Sequence, residues 1–515
     1  MNGAEALMQA LCDGGVEVCF ANPGTSEMQL VAAIDKQKNM RAILGLFEGV
    51  VTGAADGYGR MKDKPAVTLL HLGPGLANGL ANLHNAKRAR TPLINVVGDH
   101  AVEHLKYNAP LTSDIVGVAS PMSDWVRTSI SPSDLASAGA EAIAESQSYP
   151  GKICTVIAPG DHAWGENASV AAQLTVETPL TLSDKEIQEA AEQMLAAEKP
   201  ALFLGGRALR KQALHHAGRI SSLLNARIIC ETLPARIQRG EGSVPIERLP
   251  YFAESAVEFL KELTQITFVG APPPVAFFAY PDKPGWLSPP NAQLLELASP
   301  YVNAEDTLER LADAMEAPSK PTNIQAKKIF EYEKGKLDRE SAAIITANLL
   351  PEHAIVSDES GTSGGSFFRY TASSSFHDWL IITGGSIGQG LPVAVGAAVA
   401  YPDRKVVSLQ ADGSGMYTLQ ALWTMARENL DVVVIIMKNN SYGILNIELE
   451  RVGVKNPGEK ALSLLDLSNP ILDWVALAEG MGVRAKSAST TDEFSSYLSE
   501  ALSSKGPTLI EIMLP

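Results

Sequence analysis

The sequence predicts an α/β protein of three doubly wound parallel-sheet domains, and three observations carry that prediction. Short runs rich in Val, Ile and Leu alternate with helical segments, the pattern of strands joined by crossover helices. Several runs, above all Val432 to Met437, are apolar throughout, as strands covered on both faces are. The 515 residues exceed what one hydrophobic core holds, and two polar, proline-bearing stretches, 166–179 and 317–321, divide the chain. The domains expected are 1–165, 183–316 and 335–515.

Residues 3–14 carry amphipathic helical spacing that stops at Gly14-Gly15, and 16–20 form a short strand. Ala21 to Glu27 is a turn leading into a helix, with Thr25 or Ser26 available as N-cap. The alternation continues with a strand at 42–47, a helix over 48–61 and a strand at 66–71. A Gly-rich loop at 72–75, a helix to about Ala89 and a strand at 93–97 follow, and a strand at 153–158 closes the domain. The second domain begins with a helix over 184–197 and a strand at 201–204. Gly205-Gly206-Arg207 is a fragment of a nucleotide-binding turn without the full Gly-x-Gly-x-x-Gly, and such turns often only close a βα corner. Pro272-Pro273-Pro274 must be an irregular loop at a strand end, a candidate pocket wall. The third domain starts with a helix near Ser341 and a strand at 354–357, and a second Gly-rich loop, 383–392, enters a small-residue helix ending at Ala400.

The stretch from Val406 to Leu445 concentrates the chemistry. It reads as a strand at 406–410, a small-residue loop at 411–415, a helix over 417–429 and a strand at 432–437, followed by Asn439-Asn440-Ser441. Asp412 and the Asn pair therefore lie at the carboxyl ends of neighbouring strands, where open α/β sheets bind ligands. A carboxylate, an amide oxygen and loop carbonyls are the hard donors Mg²⁺ takes when it holds a diphosphate. The helix opening after Gly413-Ser414-Gly415 turns its free N–H groups toward the same anion. An ordinary βαβ unit with a Gly turn fits the spacing equally well. Glu48, between an apolar strand and a helix, is either a helix-start carboxylate set for the dipole or a buried acid kept for chemistry. His71, at a strand end, is either a structural donor or a proton-transfer group.

Asp412-Gly413 followed by Asn439-Asn440 resembles the thiamine-diphosphate (ThDP) binding motif, with Ala411 where that motif usually begins with Gly. Residues 48–60, EGVVTGAADGYGR, resemble the segment that carries the activating glutamate of the same enzymes. Over its whole length the chain is similar to the pyruvate oxidase-like family, with acetolactate synthase large subunits and benzoylformate decarboxylases as the nearest patterns. The resemblance implies pyrimidine-binding, middle and diphosphate-binding domains in that order. It implies Mg²⁺ held by Asp412, Asn439 and the Ser441 carbonyl, and Glu48 hydrogen-bonded to the cofactor's pyrimidine ring, which makes the cofactor a carbon nucleophile. Further cofactor contacts are implied for Asn22, Pro23, Gly24, Thr25, Gly361, Thr362, Gly413, Ser414, Tyr442, Gly443 and Ile444. Gly385 would receive the cofactor's amino group on its carbonyl, and Ile387 would be the apolar wedge under the thiazolium ring. The substrate pocket would be lined by Thr25, His71, Leu72, Leu111, Phe277, Phe278, Ile444 and Leu445. Glu48 of one subunit would meet Asp412 of another, so a homodimer or homotetramer is expected.

The activity the resemblance implies is decarboxylation of a pyruvate-like 2-oxo acid with transfer to a second carbonyl, an aldehyde or ketone, as acetolactate synthases do. His71 stands where benzoylformate decarboxylase has a working histidine, although Gly73 to Asn78 continues like acetolactate synthase. Phe277 or Phe278 falls where that decarboxylase has its second histidine, and losing a proton source there favours a carbonyl acceptor. The alternative is a simple decarboxylase releasing an aldehyde. A non-catalytic ThDP binder is a third possibility, against which Glu48 speaks. FAD is not expected, because the compact middle domain offers only Gly205-Gly206. The net charge of −16 comes from 42 basic and 58 acidic residues spread without a basic stripe, which argues against nucleic acid. No apolar run reaches the roughly eighteen residues of a membrane span. The four cysteines have neither metal nor disulfide spacing and are expected as buried thiols, with the cytoplasm as location.

Overall fold

In the computed structural model, which describes residues 1–514, apolar strands form three sheets that helices cover on both faces. The first sheet contains β1 (Val18–Asn22), β2 (Arg41–Leu44), β3 (Ala66–Leu70), β4 (Leu93–Asp99), β5 (Trp125–Thr128) and β6 (Ile153–Pro159). These lie in the order β2-β1-β3-β4-β6-β5, all parallel. Four helices shape the part of this domain that matters below: α1 (Gly3–Asp13), α2 (Met28–Asp35), α3 (Glu48–Lys62) and α4 (Leu72–Ala89). Strand order reverses between β1 and β3, which opens a crevice at their carboxyl ends.

The second sheet takes β7 (Pro200–Leu204), β8 (Arg227–Cys230), β10 (Glu247–Arg248), β11 (Gln265–Val269) and β12 (Gln293–Ala298) in the order β10-β8-β7-β11-β12. The intervening strand β9 (Arg236–Arg239) leaves its own domain and pairs antiparallel with the edge of the third sheet. That sheet contains β13 (Ile355–Glu359), β14 (His377–Ile381), β15 (Val406–Ala411), β16 (Val432–Lys438), β17 (Arg484–Ala488) and β18 (Thr508–Met513). Its order is β17-β18-β16-β15-β13-β14-β9, so here the reversal falls between β13 and β15.

The first and third domains meet along α3 and the helix Gly390–Ala400, and small residues allow the close approach. A Cβ on Gly57 would stand 2.2 Å from the Val393 carbonyl oxygen, and one on Gly396 would stand 1.8 Å from the Ala54 carbonyl oxygen. Asp56 and Arg60, both buried on this face, form a two-pronged pair at 2.8 and 2.6 Å. Arg60 also donates to the Ile381 carbonyl at 2.8 Å and to Thr383 Oγ1 at 3.1 Å.

Local differences from the sequence expectations have identifiable causes. Residues 72–75 are not a loop but the first turn of α4, entered through Leu72 at φ 45. The turn after β1 has Gly24, not Thr25 or Ser26, at its N-cap, because the Glu27 side chain reaches back to accept the Gly24 N–H at 2.8 Å. The helix expected over 417–429 is shorter, Ala421–Arg427, and the loop expected at 411–415 holds a separate helical turn, Asp412–Gly415; Thr418 Oγ1 donates to the Gly388 carbonyl at 2.9 Å between them. The four cysteines are unpaired, and among the described residues no helix is long and apolar enough to cross a membrane.

Candidate functional site

Both sheet reversals carry the residues singled out from the sequence. At the third domain's reversal Asp412 follows β15 and is almost wholly buried. Its carboxylate accepts the N–H groups of Gly413 at 2.9 Å, Asn439 at 3.1 Å and Asn440 at 2.7 Å. Burial raises its pKa, and these backbone donors oppose the rise. Asn439 Oδ1 accepts the Ser441 N–H at 3.0 Å, which folds the loop after β16 back over Asp412. Asn440 takes a left-handed backbone at φ 54, and its Oδ1 is buried without a partner.

Three loops converge here. A Cβ on Gly443 would stand 3.2 Å from Thr362 Oγ1 and 3.4 Å from Asn439 Nδ2, and one on Gly413 would strike the Tyr442 ring. Gly361, at φ 56, turns the chain after β13 toward the same place. Ser414 accepts from Gln410 Nε2 at 2.6 Å. The Asp412 carboxylate, the Asn439 amide oxygen, which keeps a lone pair, and the Ser441 carbonyl form an oxygen-only donor set, with the buried, unpartnered Asn440 Oδ1 beside it. That set suits a hard cation with a diphosphate, and Asp412, Asn439 and the Ser441 carbonyl are the residues that would hold them.

The sequence reading missed the structural importance of Glu359. This buried acid ends β13 and accepts the N–H groups of Gly388 at 2.6 Å and Gly390 at 2.7 Å, together with Gln410 Nε2 at 3.0 Å. It fixes the second Gly-rich loop, on which Gly385 is exposed and Ile387 half-buried. From the first domain, Asn85 brackets Ser386 through its N–H at 3.1 Å and its carbonyl at 2.7 Å. Asn82 donates both to the Gly49 carbonyl at 2.7 Å and to the Gly388 carbonyl at 3.2 Å, tying the start of α3 to this loop.

At the first domain's reversal Glu48 opens α3, buried, and accepts from Asn78 Nδ2 at 3.0 Å. His71 caps α4, and a Cβ on Gly75 would stand 3.2 Å both from Glu48 Oε1 and from His71 Cβ, so the two side chains flank one glycine. His71 Nδ1 lies 2.7 Å from Glu27 Oε2, and Glu27 is wholly buried. Glu27 also accepts from the Gly24 N–H and from Ser26 Oγ at 2.6 Å. Only glycine fits at 24, since a Cβ there would stand 2.2 Å from His71 Nδ1, and at 98, where it would meet Glu27 Oε1 at 1.9 Å. Glu27 was the other residue missed, and nothing in a Ser-Glu-Met helix start marks it.

The remaining expected residues scatter more. Asn22, Pro23 and Gly24 are half-buried at the end of β1, and Thr25 is exposed beside them. Leu111 is exposed, whereas Leu72 is 1% exposed and belongs to the domain core, away from any open surface of this chain. Ile444 is half-buried and Leu445 exposed on the helix Gly443–Arg451. Phe277 and Phe278 are exposed on the loop after the proline run, and Phe277 stacks on Tyr251 at 4.7 Å. Arg451, at the end of the Ile444 helix, lies over Phe252 and pairs with Glu254 at 2.9 Å, which brings that loop's domain against the helix.

Two family models match the chain. Residues 1–118 match the N-terminal, and residues 359–512 the C-terminal, TPP-binding domain of thiamine pyrophosphate enzymes. The sequence is 48% identical to a protein of Mycobacterium tuberculosis provisionally named acetolactate synthase large subunit, over 100% of this chain and 99% of that protein. It is 27% identical to a benzoylformate decarboxylase of Pseudomonas aeruginosa, covering 97% of this chain and 96% of that one. Among solved structures, a thiamine diphosphate-dependent 4-hydroxybenzoylformate decarboxylase of Rhodococcus jostii superposes with a TM-score of 0.88 at 26% identity, covering 100% of this chain and 99% of that one.

Proposed function

Because this chain belongs to the family of thiamine diphosphate-dependent enzymes, we propose that it decarboxylates a pyruvate-like 2-oxo acid and passes the acyl unit to a second carbonyl, as acetolactate synthases do. Bound thiamine diphosphate supplies an electron sink for the carbon that loses CO₂. Asp412, Asn439 and the Ser441 carbonyl hold Mg²⁺ against the diphosphate, with Thr362 and Gly443 closing the same loop cluster. Glu48, shielded from water and steadied by Asn78, holds a proton on the pyrimidine side. Gly385 and Ile387 position the rings from the loop that Glu359 and Asn85 fix. His71, with Nδ1 engaged by Glu27, presents Nε2 for proton transfer, and the oxygen of the acceptor carbonyl takes the proton as the new carbon–carbon bond forms. Glu48 and Asp412 come from different subunits of a cytoplasmic homodimer or homotetramer, and no flavin takes part.

The observation that carries ligation over simple release is the pair Phe277 and Phe278. They put apolar side chains, not a second proton donor, on the loop that faces the Ile444 helix. A decarboxylase reading is favoured by one observation, the Glu27-held His71. Product analysis with ThDP, Mg²⁺ and either pyruvate or benzoylformate separates them. Hydroxyketone formed in step with CO₂ supports ligation, and free aldehyde in step with CO₂ makes the protein a decarboxylase. Glu48→Gln is expected to abolish most turnover while ThDP still binds; unchanged turnover refutes the role given to Glu48.

A further inference from the structure

We propose a second ligand site, for a small phosphate ester with a planar body, in the polar cavity between the end of α4 and the start of β6. Its volume of ≈ 540 Å³ lies in the range of small-molecule pockets. Lys87, Arg88 and Arg90 reach it from the end of α4, and Lys152 from the residue before β6. In a chain of net charge −16, four cations on one cavity run against the overall balance. A helix C-terminus attracts cations through its dipole, but that does not account for Lys152, which arrives from another element.

The charges are only partly used. Asp124, the one carboxylate on the wall, faces Lys87 at 3.5 Å and accepts the Ile153 N–H at 3.0 Å. Lys152 pairs with Glu145 at 2.7 Å, outside the lining. Neither the Arg88 nor the Arg90 guanidinium makes an ion pair or hydrogen bond among the described residues. Arg90 is half-buried and held at φ 53, a backbone region uncommon for a residue other than glycine. Two unpartnered guanidiniums offer the planar forks that recognise phosphate oxygens. Pro121, Met122 and Tyr301 give the cavity an apolar side suited to a flat ring. Tyr301 belongs to the middle domain, so an occupant bridges two domains. The cofactor's own diphosphate belongs to the Asp412 loop and does not compete.

The test titrates the protein loaded with ThDP and Mg²⁺ with AMP, inorganic phosphate and adenosine by calorimetry at low salt. AMP is expected to bind with a dissociation constant below about 1 mM, phosphate more weakly and adenosine not measurably. Arg88→Gln and Lys152→Gln, both at solvent-reachable positions, should each weaken AMP binding by about tenfold, the size of one charge-assisted bond. Both should leave kcat and the ligand-free thermal midpoint unchanged. Absence of AMP binding overturns the site, as does AMP binding that both variants leave intact. Phosphate binding as tight as AMP overturns the planar-body assignment.

Discussion

Glu27 has three donors: the Gly24 N–H, Ser26 Oγ and His71 Nδ1 all point at a carboxylate with no exposed surface. A buried acid so placed fixes which ring nitrogen of His71 carries the proton and holds the ring in one orientation. Glu27→Gln keeps the shape but offers an amide that cannot serve all three donors. It is expected to reduce turnover on the order of 10²-fold or more, as loss of a histidine-orienting carboxylate does, with ThDP affinity unchanged. The check is a pH–rate profile beside a ThDP titration; a profile and rate like wild type would remove Glu27 from the mechanism. Gly24→Ala should do the same by another route, because its Cβ would overlap the His71 ring and drive it off Glu27. Glu27 was not legible in sequence, and Gly24 was expected as a cofactor contact, not as the residue that leaves room for the His71 ring. A glutamate in a helix's first turn is usually there for the dipole, and only the tertiary approach of Gly98 reveals the burial. Asp412 and Asn439 were legible because one strand–helix–strand unit separates them, so local spacing alone put both at neighbouring strand ends.

At the scale of elements, the strands of the three sheets were readable wherever the run is mostly apolar, as in β3, β6 and β16. β9 was not, since Arg-Ile-Gln-Arg has neither length nor an apolar run, and its pairing partner β14 lies in another domain. β14 begins with His377, which is fully buried; its Nδ1 donates to the Ser375 carbonyl at 2.8 Å and its Nε2 has no partner. Burial, with Arg239 nearby, pushes its pKa down to about 3. The folded protein therefore keeps this histidine neutral while the unfolded chain protonates near its ordinary 6.5. Its contribution is fully present above that value and is lost as pH falls toward about 3, at about 1.4 kcal/mol per pH unit. His377→Gln is expected to flatten the acid limb of stability between pH 6 and pH 4 (about one proton's worth of slope), read by denaturant melts at each pH. An unchanged slope would show that His377 is not the group taking up the proton.

At the scale of the whole molecule, three domains are pinned by one buried carboxylate. Asp378 on β14 accepts from Arg236 Nε of β9 at 2.6 Å and from Arg404 Nη2 at 2.6 Å. Arg236 also donates to the carbonyls of Arg60 at 3.0 Å and Met61 at 2.9 Å, at the end of α3. First, middle and third domains thus share a single junction, and Arg60 carries it on to Thr383 and the loop of Gly385. Burial pushes the Asp378 carboxyl up, but the two guanidiniums outweigh that and hold it below its ordinary value. Its stabilising contribution is therefore present above the unfolded carboxylate range and is lost as pH falls through its lowered value. Asp378→Asn leaves two guanidiniums facing a neutral amide in a dry junction, a change that costs about 3–5 kcal/mol. Asp378→Asn together with Arg236→Met removes one stranded charge and should recover part of the loss. Scanning calorimetry of both variants provides the check, with a midpoint several degrees lower for the single variant and partly restored in the double. If the junction couples the domains, the single variant should also split the main transition, because the middle domain would no longer melt with its neighbours. One unshifted, unsplit transition would mean that the α3 contact with Gly390–Ala400 holds the domains together without this junction.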